Sequence, residues 1–394
     1  MIAFENVVKE YASGFKAVDG LSLEVHEGEI CVLIGPSGCG KTTTMRMVNR
    51  LIPITSGQIL VEGRDNRNVP AETLRRKIGY AIQQIGLFPH MTVGQNIAVV
   101  PRLLGWEEGR IRRRVDELLT LVGLEPGLNR DKYPRQLSGG QQQRVGVARA
   151  MGADPPIMLM DEPFGAVDPI TREVLQEEFL QIQHEVGKTI IFVTHDIDEA
   201  IKMGDRIAIL RDGELVQMDT PDRLLAKPKD DFVRSFVGAD RQLKRLGLVR
   251  IGELMDLDPP VVALAGRLED ARAEMARLGV RSAFVVGEGG RLEGWVDKEA
   301  VDKESAQGGG TLQEAVNRAH PLDIAVRESA TAREALSAMV TRGFRVTPVV
   351  DGAGALKGFV RLKTLQAIVE RGAAPEAGTG AAPTPPSQAP PEAP

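Results

Sequence analysis

Eight residues near the N-terminus have the types and spacing of a phosphate-binding loop, called the P-loop below. They fit the pattern G-x-x-x-x-G-K-[ST] and directly follow a short apolar run at 29–34. Glycines let backbone N–H groups approach phosphate oxygens, and the N-terminus of a following helix adds partial positive charge. In this pattern Lys41 reaches the β- and γ-phosphates, and the Thr42 hydroxyl ligates Mg²⁺. The nucleotide-binding residues predicted here are Gly35, Pro36, Ser37, Gly38, Cys39, Gly40, Lys41, Thr42 and Thr43.

Two carboxylates stand at the end of a second apolar run, residues 157–160. Asp161 suits a water-mediated contact with Mg²⁺. Glu162, one residue further on, is suited to orient or deprotonate a water that attacks a γ-phosphate. Strand ends often meet acidic turns, so the pair indicates chemistry only because a P-loop precedes it.

A second candidate anion site is the sequence LSGGQ at 137–141, called the signature loop below. Its residues Ser138, Gly139, Gly140 and Gln141 open a helix predicted over 139–151, and that helix N-terminus is separate from the P-loop. Over about residues 1–237 the chain resembles the ATP-binding-cassette (ABC) family, whose signature is LSGGQ. The position of this pentapeptide between a P-loop and the Asp161–Glu162 pair carries the resemblance.

The resemblance implies roles at four further positions. Tyr11 lies where the family has an aromatic side chain that stacks on adenine, and Gln83 matches the glutamine that contacts Mg²⁺ and the attacking water. His195 matches the histidine that senses the γ-phosphate. Asp168 ends the sequence GAVD at 165–168, which occupies the place of the family's SALD loop and departs from it at the Ser and Leu positions. The resemblance implies that Asp168 contacts a second subunit.

The same resemblance implies an assembly. In the family, the signature loop of one subunit closes over ATP that the P-loop of another subunit holds. We therefore expect ATP and Mg²⁺ as cofactors, a head-to-tail dimer of two copies, and catalysis by Glu162, His195 and Gln83. The metal contacts implied are those of Thr42, Gln83 and Asp161.

Composition restricts the other partners. Lys and Arg total 49 against 54 Asp and Glu among 394 residues, a net charge of −5, which gives no case for nucleic acid. Cys31 and Cys39 are the only cysteines, which favours a reducing compartment. No apolar stretch is long enough to span a membrane, so a membrane link requires another protein. The apolar residues at 83–93 match a family groove that receives a permease helix, although packing on the chain's own helices would also explain them.

An internal repeat occupies the second part of the chain. Residues 278–296 align with 342–360 at an offset of 64, with eight of 19 positions identical. Each copy predicts a helix, two strands joined by a turn, and a second helix. Two copies are fewer than a solenoid needs, so a compact pseudo-twofold pair is expected. The pair resembles a tandem cystathionine-β-synthase (CBS) module.

These patterns predict an α/β fold. Buried apolar strands that alternate with helical patterns favour a largely parallel sheet. The domains expected are an ABC ATPase domain with a mixed sheet and a helical lobe at 1–240, CBS domains at 250–307 and 311–370, and a tail at 371–394. The tail has seven prolines and almost no large apolar side chains, so it is expected to be disordered.

The sequence runs around the motifs look like the quaternary-amine branch of the family. That resemblance implies import of glycine betaine, choline, carnitine or proline as osmoprotectants, with a membrane permease and a substrate-binding protein, at the cytoplasmic face of the inner membrane. Two alternatives stay open: an importer ATPase for another solute such as an amino acid, and a soluble regulatory ATPase without transport. The CBS pair is open between adenine-nucleotide binding, ionic-strength sensing and dimerisation alone.

Overall fold

The apolar runs before the candidate site residues are strands of one sheet in a computed structural model of the chain. The structure describes residues 1–82, 86–165, 167–306, 311–317 and 323–370. It divides into two units, Met1–Ala239 and a second that begins at Asp240. The predictions for Gln83 and for the tail at 371–394 lie outside the described residues.

The strands of the first unit form two sheets. Within the described residues one sheet has the order β2-β1-β4-β5 and is antiparallel, and the other has the order β10-β9-β3-β8-β7-β6. The strands are β1 (Ile2–Glu10), β2 (Lys16–Val25), β3 (Ile30–Ile34), β4 (Ser56–Val61), β5 (Arg64–Asp65), β6 (Ile78–Ala81), β7 (Ile157–Asp161), β8 (Thr189–Val193), β9 (Arg206–Arg211) and β10 (Glu214–Asp219).

The larger sheet positions the candidate site. Its strands pair in parallel except for β10, which pairs antiparallel with β9. Every residue of β3, β7 and β8 is buried, as expected for strands covered on both faces. Because these three strands are neighbours and parallel, their carboxyl ends meet at one edge, where ligands of open α/β sheets bind.

Helices cover the sheets of the first unit. They are α1 (Lys41–Val48), α2 (Ala71–Arg76), α3 (Val93–Ile97), α4 (Val99–Leu103), α5 (Glu108–Leu121), α6 (Pro126–Asn129), α7 (Gly139–Ala150), α8 (Pro169–Val186), α9 (Ile197–Met203), α10 (Pro221–Ala226) and α11 (Asp231–Val237), with 3₁₀ turns at Asn66–Asn68 and Pro134–Gln136. One core cluster joins the two sheets and α1, with Phe4, Leu33 and Met45 almost fully buried. The mixed α/β fold predicted for this region is confirmed.

The second unit contains two copies of one motif. After α12 (Arg241–Leu246) and a 3₁₀ turn (Ile251–Glu253), repeat 1 consists of β11 (Val261–Ala263), α13 (Leu268–Leu278), β12 (Ser282–Val286), a 3₁₀ turn (Glu288–Gly290), β13 (Leu292–Asp297) and α14 (Lys298–Ala306). Next, α15 (Leu312–Ala315) precedes repeat 2, which consists of β14 (Val326–Arg327), α16 (Ala332–Arg342), β15 (Val346–Val350), β16 (Leu356–Arg361) and α17 (Leu362–Glu370). The offset of 64 relates α13 to α16, β12 to β15 and β13 to β16.

The segment before each repeat packs on the other repeat. Leu246 and Ile251 are buried in the core of repeat 2, and Leu312 is buried in the core of repeat 1. A third cluster joins the two repeats, with the rings of Phe284 and Phe359 6.4 Å apart at their centroids. Neither repeat therefore has a complete core alone, which explains the compact pair.

Candidate functional site

The P-loop connects β3 to α1 and is held by its own lysine. The Nζ of Lys41 donates to the carbonyl oxygens of Gly35 and Pro36, at 2.7 and 3.0 Å. Pro36, Ser37 and Gly38 are exposed, Cys39 is buried, and Thr42 and Thr43 are half-buried on the first turn of α1. The ammonium group thus lies within the curve of the loop, where the oxygens of a bound phosphate would be.

Two glycines of this loop have no room for a side chain. A Cβ on Gly35 would lie 2.1 Å from the carbonyl oxygen of Leu210, and one on Gly40 would lie 2.3 Å from that of Ala17. Gly40 also has φ +98°, in the left-handed region that favours glycine. Both the close backbone approach and the turn into α1 therefore require glycine.

The residues predicted to contact Mg²⁺ meet at the end of β7. The Thr42 hydroxyl donates to Oδ1 of Asp161 at 3.2 Å, and Asp161 is only 1% exposed. Burial raises the pKa of Asp161, the Thr42 hydroxyl lowers it, and the neighbouring charge of Glu162 raises it again. A hydroxyl and a buried carboxylate are the hard oxygen donors that Mg²⁺ takes from proteins, with waters and phosphates completing its shell. These residues therefore fit the ion.

A metal ion held entirely by protein side chains needs three or more ligands close together. Among the residues that the structure describes, no group of three or more His, Cys, Asp or Glu side chains could hold a metal ion.

Glu162 and His195 are brought together from two neighbouring strands. Nδ1 of His195 lies 3.2 Å from Oε1 of Glu162, and the histidine side chain is 70% exposed. Glu162 has φ +49°, its N–H donates to the carbonyl of Val193 at 2.9 Å, and its own carbonyl accepts from Nε2 of Gln143 at 2.9 Å. The left-handed backbone turns the carboxylate away from β7 toward the histidine, a strained geometry of the sort that clusters at active sites.

The signature loop begins α7 and lies at the surface. The Ser138 hydroxyl accepts from the N–H of Gln141 at 3.3 Å, and the Gln141 side chain accepts from the N–H of Ser138 at 3.0 Å. Ser138 and Gly139 are exposed, and Gly140 and Gln141 are half-buried. This capping box satisfies one first-turn N–H of α7, and helix geometry gives the N–H groups of Gly139 and Gly140 no partner within the helix.

Asp168 and Tyr11 occupy other parts of the first unit. Oδ1 of Asp168 accepts from the N–H of Thr171 at 3.0 Å and caps α8, and this bond lowers the pKa of Asp168. Tyr11 directly follows β1 and is 39% exposed, with Nζ of Lys9 5.0 Å from the centre of its ring. Both side chains are thus accessible to a ligand or a second copy.

Several residues at the site were missed by sequence reasoning. Gln143 binds the Glu162 backbone, and Arg46 faces both Tyr80 and Asp161; burial raises the pKa of Tyr80. Arg46 follows Thr42 by one helical turn, a spacing that would have predicted it. Tyr80 carries no such local signal, because only the pairing of β6 with β7 brings it near Asp161.

A groove lies beside the segment with exposed apolar residues. It has a volume of about 480 Å³, and its lining includes Tyr80, Phe88, Val99, Val100 and Arg149. Phe88 is 39% exposed, and the Arg149 guanidinium lies 5.9 Å from its ring. Leu87 and Met91 are half-buried, and Ile85 lies outside the described residues.

Known proteins match the chain along most of its length. An osmoprotectant import ATP-binding protein of Salmonella typhimurium is 47% identical over 365 residues, which cover 91% of this chain and 94% of the relative. A family model described as ABC transporter matches residues 18–165. The chain belongs to the ABC transporter family. A glycine betaine/carnitine/choline transport ATP-binding protein of Bacillus subtilis is 46% identical over 371 residues, or 94% of this chain and 96% of the relative.

Solved structures and the second unit agree with this family. A dimeric ATP-binding cassette in a post-hydrolysis state, bound to ADP and Pi, has a TM-score of 0.52 and 35% identity, covering 56% of this chain and 98% of that chain. The CBS domain model matches residues 251–306 and 320–370. The chain is an ABC ATPase that binds ATP and carries CBS domains, and both resemblances stated from the sequence are confirmed. Within the described residues, no helix is both long enough and apolar enough to cross a membrane.

Proposed function

We propose that this chain is the ATP-hydrolysing subunit of an importer of quaternary-amine osmoprotectants: glycine betaine, choline, carnitine or proline. The observation that carries the proposal is the likeness to osmoprotectant importer subunits through both the ATPase and the CBS regions. A likeness confined to the cassette would support only an ATPase of unspecified solute.

ATP binds at the P-loop in this proposal. The ring of Tyr11 stacks on adenine, and residues 35–43 surround the phosphates with backbone N–H groups and the Lys41 ammonium. Lys41 is already held inside the curve of the loop by two carbonyls, so binding requires only a short movement of its side chain. Mg²⁺, bound by Thr42, Asp161 and Gln83, would neutralise charge on the β- and γ-phosphate oxygens.

Hydrolysis depends on Glu162 and His195. The Glu162 carboxylate accepts a proton from a water whose oxygen attacks the γ-phosphorus, and the bond from that phosphorus to the bridging oxygen breaks to release ADP. His195 contacts Glu162 and senses the γ-phosphate, and Gln83 orients the water. The support is the 3.2 Å approach of His195 to Glu162 beside the buried Asp161.

Two copies assemble head to tail. The signature loop residues Ser138, Gly139, Gly140 and Gln141 close over the ATP of the opposite copy, and Asp168 contacts that copy. The exposure of Ser138 and Gly139 at the N-terminus of α7 supports an anion contact from outside the chain. ATP binding closes the dimer, and hydrolysis opens it.

A separate permease carries the solute. Its cytoplasmic helix binds the groove beside Phe88, and a substrate-binding protein delivers the solute to the complex. The chain is then peripheral, at the cytoplasmic face of the inner membrane. The lining of apolar residues with the arginines Arg75, Arg76 and Arg149, and the accessible Phe88 ring, support this surface as the permease contact.

The remaining length is regulatory in this proposal. We assign residues 1–240 to the ATPase domain, 250–307 and 311–370 to the two CBS domains, and 371–394 to a tail. Regulation is tested by transport into vesicles against internal salt, with and without residues 241–394. Unchanged salt activation after truncation would contradict it.

The function is tested by solute-stimulated ATPase activity in a complex with the neighbouring permease and binding protein. Glycine betaine, choline, carnitine or proline is expected to stimulate hydrolysis; stimulation only by an amino acid such as methionine would replace the solute assignment.

Glu162→Gln is expected to lower kcat at least about 100-fold and to trap an ATP-bound dimer. Glu177→Gln, at an exposed acid on α8, is the matched control. Near wild-type hydrolysis by Glu162→Gln would refute the role of Glu162.

A further inference from the structure

The Glu199 carboxylate is a half-buried acid to which the proposed chemistry gives no role. It lies on the first turn of α9, behind the turn that carries His195. Nε2 of Gln176 donates to its Oε1 at 3.0 Å, and Gln176 is only 6% exposed on α8. One carboxylate thus connects two helices that flank the site.

The turn at 194–196 is held from the same side. The N–H of Asp196 donates to the Thr194 hydroxyl oxygen at 3.0 Å. The same hydroxyl group forms a hydrogen bond with the Glu199 carboxylate. Asp196 then caps α9 by accepting from the N–H groups of Asp198 and Glu199 at 2.8 and 3.3 Å. The backbone on both sides of His195 is therefore bonded into the start of α9.

Arg172, on the first turn of α8, acts electrostatically on the Glu199 carboxylate and is bonded to the segment that leads into this helix. Nη2 of Arg172 donates to the carbonyl of Val167 at 2.9 Å, directly before Asp168. Burial raises the pKa of Glu199, and Thr194, Gln176 and the charge of Arg172 lower it, while the charge of Asp196 raises it. Glu199 is thus a common partner of groups from α8 and from the His195 turn.

In the part of the chain that the structure describes, Glu162 is the ion-pair partner of His195. Its side chain is 70% exposed, and an ion pair at such exposure stabilises a geometry only weakly. The direction of the imidazole must then come from the backbone beneath it.

We propose that Glu199 is a positioning residue for ATP hydrolysis, which links α8 to the turn at 194–196 and so holds His195 against Glu162. This inference rests on the role proposed for His195. It also connects the segment that ends at Asp168 to the histidine through one carboxylate, so a contact made by Asp168 with a second copy can act on His195.

The first test is the kinetics of the full chain in its permease complex. Glu199→Ala is expected to lower kcat about tenfold with KM for ATP unchanged within about twofold, because Tyr11 and the P-loop, rather than His195, provide most of the proposed contacts with ATP. Glu199→Gln keeps an oxygen that accepts from Gln176, and it is expected to retain at least about half of kcat. A structural defect alone would lower the amount of folded protein and leave kcat per folded molecule at the wild-type value, and that result in Glu199→Ala would overturn the proposal.

A matched pair on α8 covers the case in which Glu199→Ala folds poorly. Gln176 and Gln183 are both buried, and Nε2 of Gln183 donates to the carbonyls of Gly28 and Lys188 at 2.7 and 3.1 Å. Both Gln176→Leu and Gln183→Leu are expected to lower the Tm, but only Gln176→Leu is expected to lower kcat per folded molecule. Equal kcat values in the two variants would overturn the proposal.

A double-mutant cycle separates this inference from the role of His195. If Glu199 acts through His195, Glu199→Ala changes kcat by less than about twofold in a His195→Ala background. A further loss of about tenfold in that background would overturn the positioning role and leave the role of His195 intact. Wild-type kcat in His195→Ala alone would contradict the proposed function instead.

Discussion

Two helix N-termini of this ATPase are proposed to bind the same nucleotide, and they are built differently. At α1 the residue before the helix is Gly40, with φ +98° and ψ 0°, and no side chain among the described residues caps its first turn. At α7 the residue before the helix is Ser138, which forms a reciprocal capping box with Gln141. The first N-terminus has no side-chain cap, and the second is partly satisfied by its own side chains.

The difference separates two contributions to binding. The open N–H groups at α1 gain partners only when a phosphate binds, so a single copy has a reason to bind ATP at the P-loop. The capped N-terminus of α7 is stable without a ligand and offers only the remaining N–H groups to a nucleotide held by another copy. ATP affinity should therefore depend on α1, and turnover should depend on both.

Gly40→Ala should have the largest effect. The added Cβ would lie 2.3 Å from the carbonyl oxygen of Ala17, and alanine at φ +98° is strained as well. A combined cost of about 3 kcal/mol corresponds to an ATP affinity lowered about 100-fold. Calorimetric titration with Mg-ATP measures this, and a wild-type affinity would show that the loop does not require this backbone geometry.

Gly139→Ala is the matched substitution at the other N-terminus. No atom of the described residues lies within 4 Å of a Cβ built there. We expect ATP affinity within about twofold of wild type and ATPase activity lowered about tenfold, because the methyl group meets only the opposite copy's nucleotide. Gly127→Ala, at the first turn of α6 and also without a close contact, should leave both quantities unchanged. Lost ATP affinity in Gly139→Ala would remove the distinction between the two termini.

Ser138→Ala tests the cap itself. Losing an N-cap costs about 1 kcal/mol, which lowers the Tm of a unit of this size by roughly 2–4 °C. Differential scanning calorimetry without nucleotide measures this loss. Thr220 caps α10 through the N–H of Arg223, so Thr220→Ala provides a cap loss away from the signature loop. Both variants should lose stability, but only Ser138→Ala should lose ATPase activity; an unchanged Tm in Ser138→Ala would mean that the capping box holds little.

The sequence predicted features of these sites that depend on local pattern. Glycine spacing with an apolar run predicted the P-loop after β3, and the Asp–Glu pair was predicted at a strand end that proved to be β7. The 64-residue offset predicted the element order of both repeats. These predictions rest on turn residues and apolar runs, which are patterns formed by residues only a few positions apart.

Contacts between distant elements could not be predicted in the same way. The Glu162 carbonyl accepts from Gln143, 19 residues earlier, and Glu199 accepts from Gln176, 23 residues earlier. The exchange of leading segments between the two repeats also depends on packing across the pair. A single sequence specifies such partners only through the folded arrangement of helices on the sheet.

Asp161→Asn should shift the Tm by less than Ser138→Ala does, and in the opposite direction. Burial raises the pKa of Asp161, so its ionised form destabilises the folded state at pH values above that pKa. Asparagine keeps an oxygen that accepts from Thr42 and removes the buried charge. In nucleotide-free, metal-free buffer at pH 7.5 the Tm should rise by about 2 °C, and the gain should shrink as pH falls through the raised pKa, because wild-type Asp161 is then protonated too. A Tm lowered at pH 7.5 would show that the charges of Arg46 and Lys41 more than offset the cost of burying the Asp161 carboxylate. The P-loop site would then be stabilised by its own side chains without a ligand, as the signature loop is.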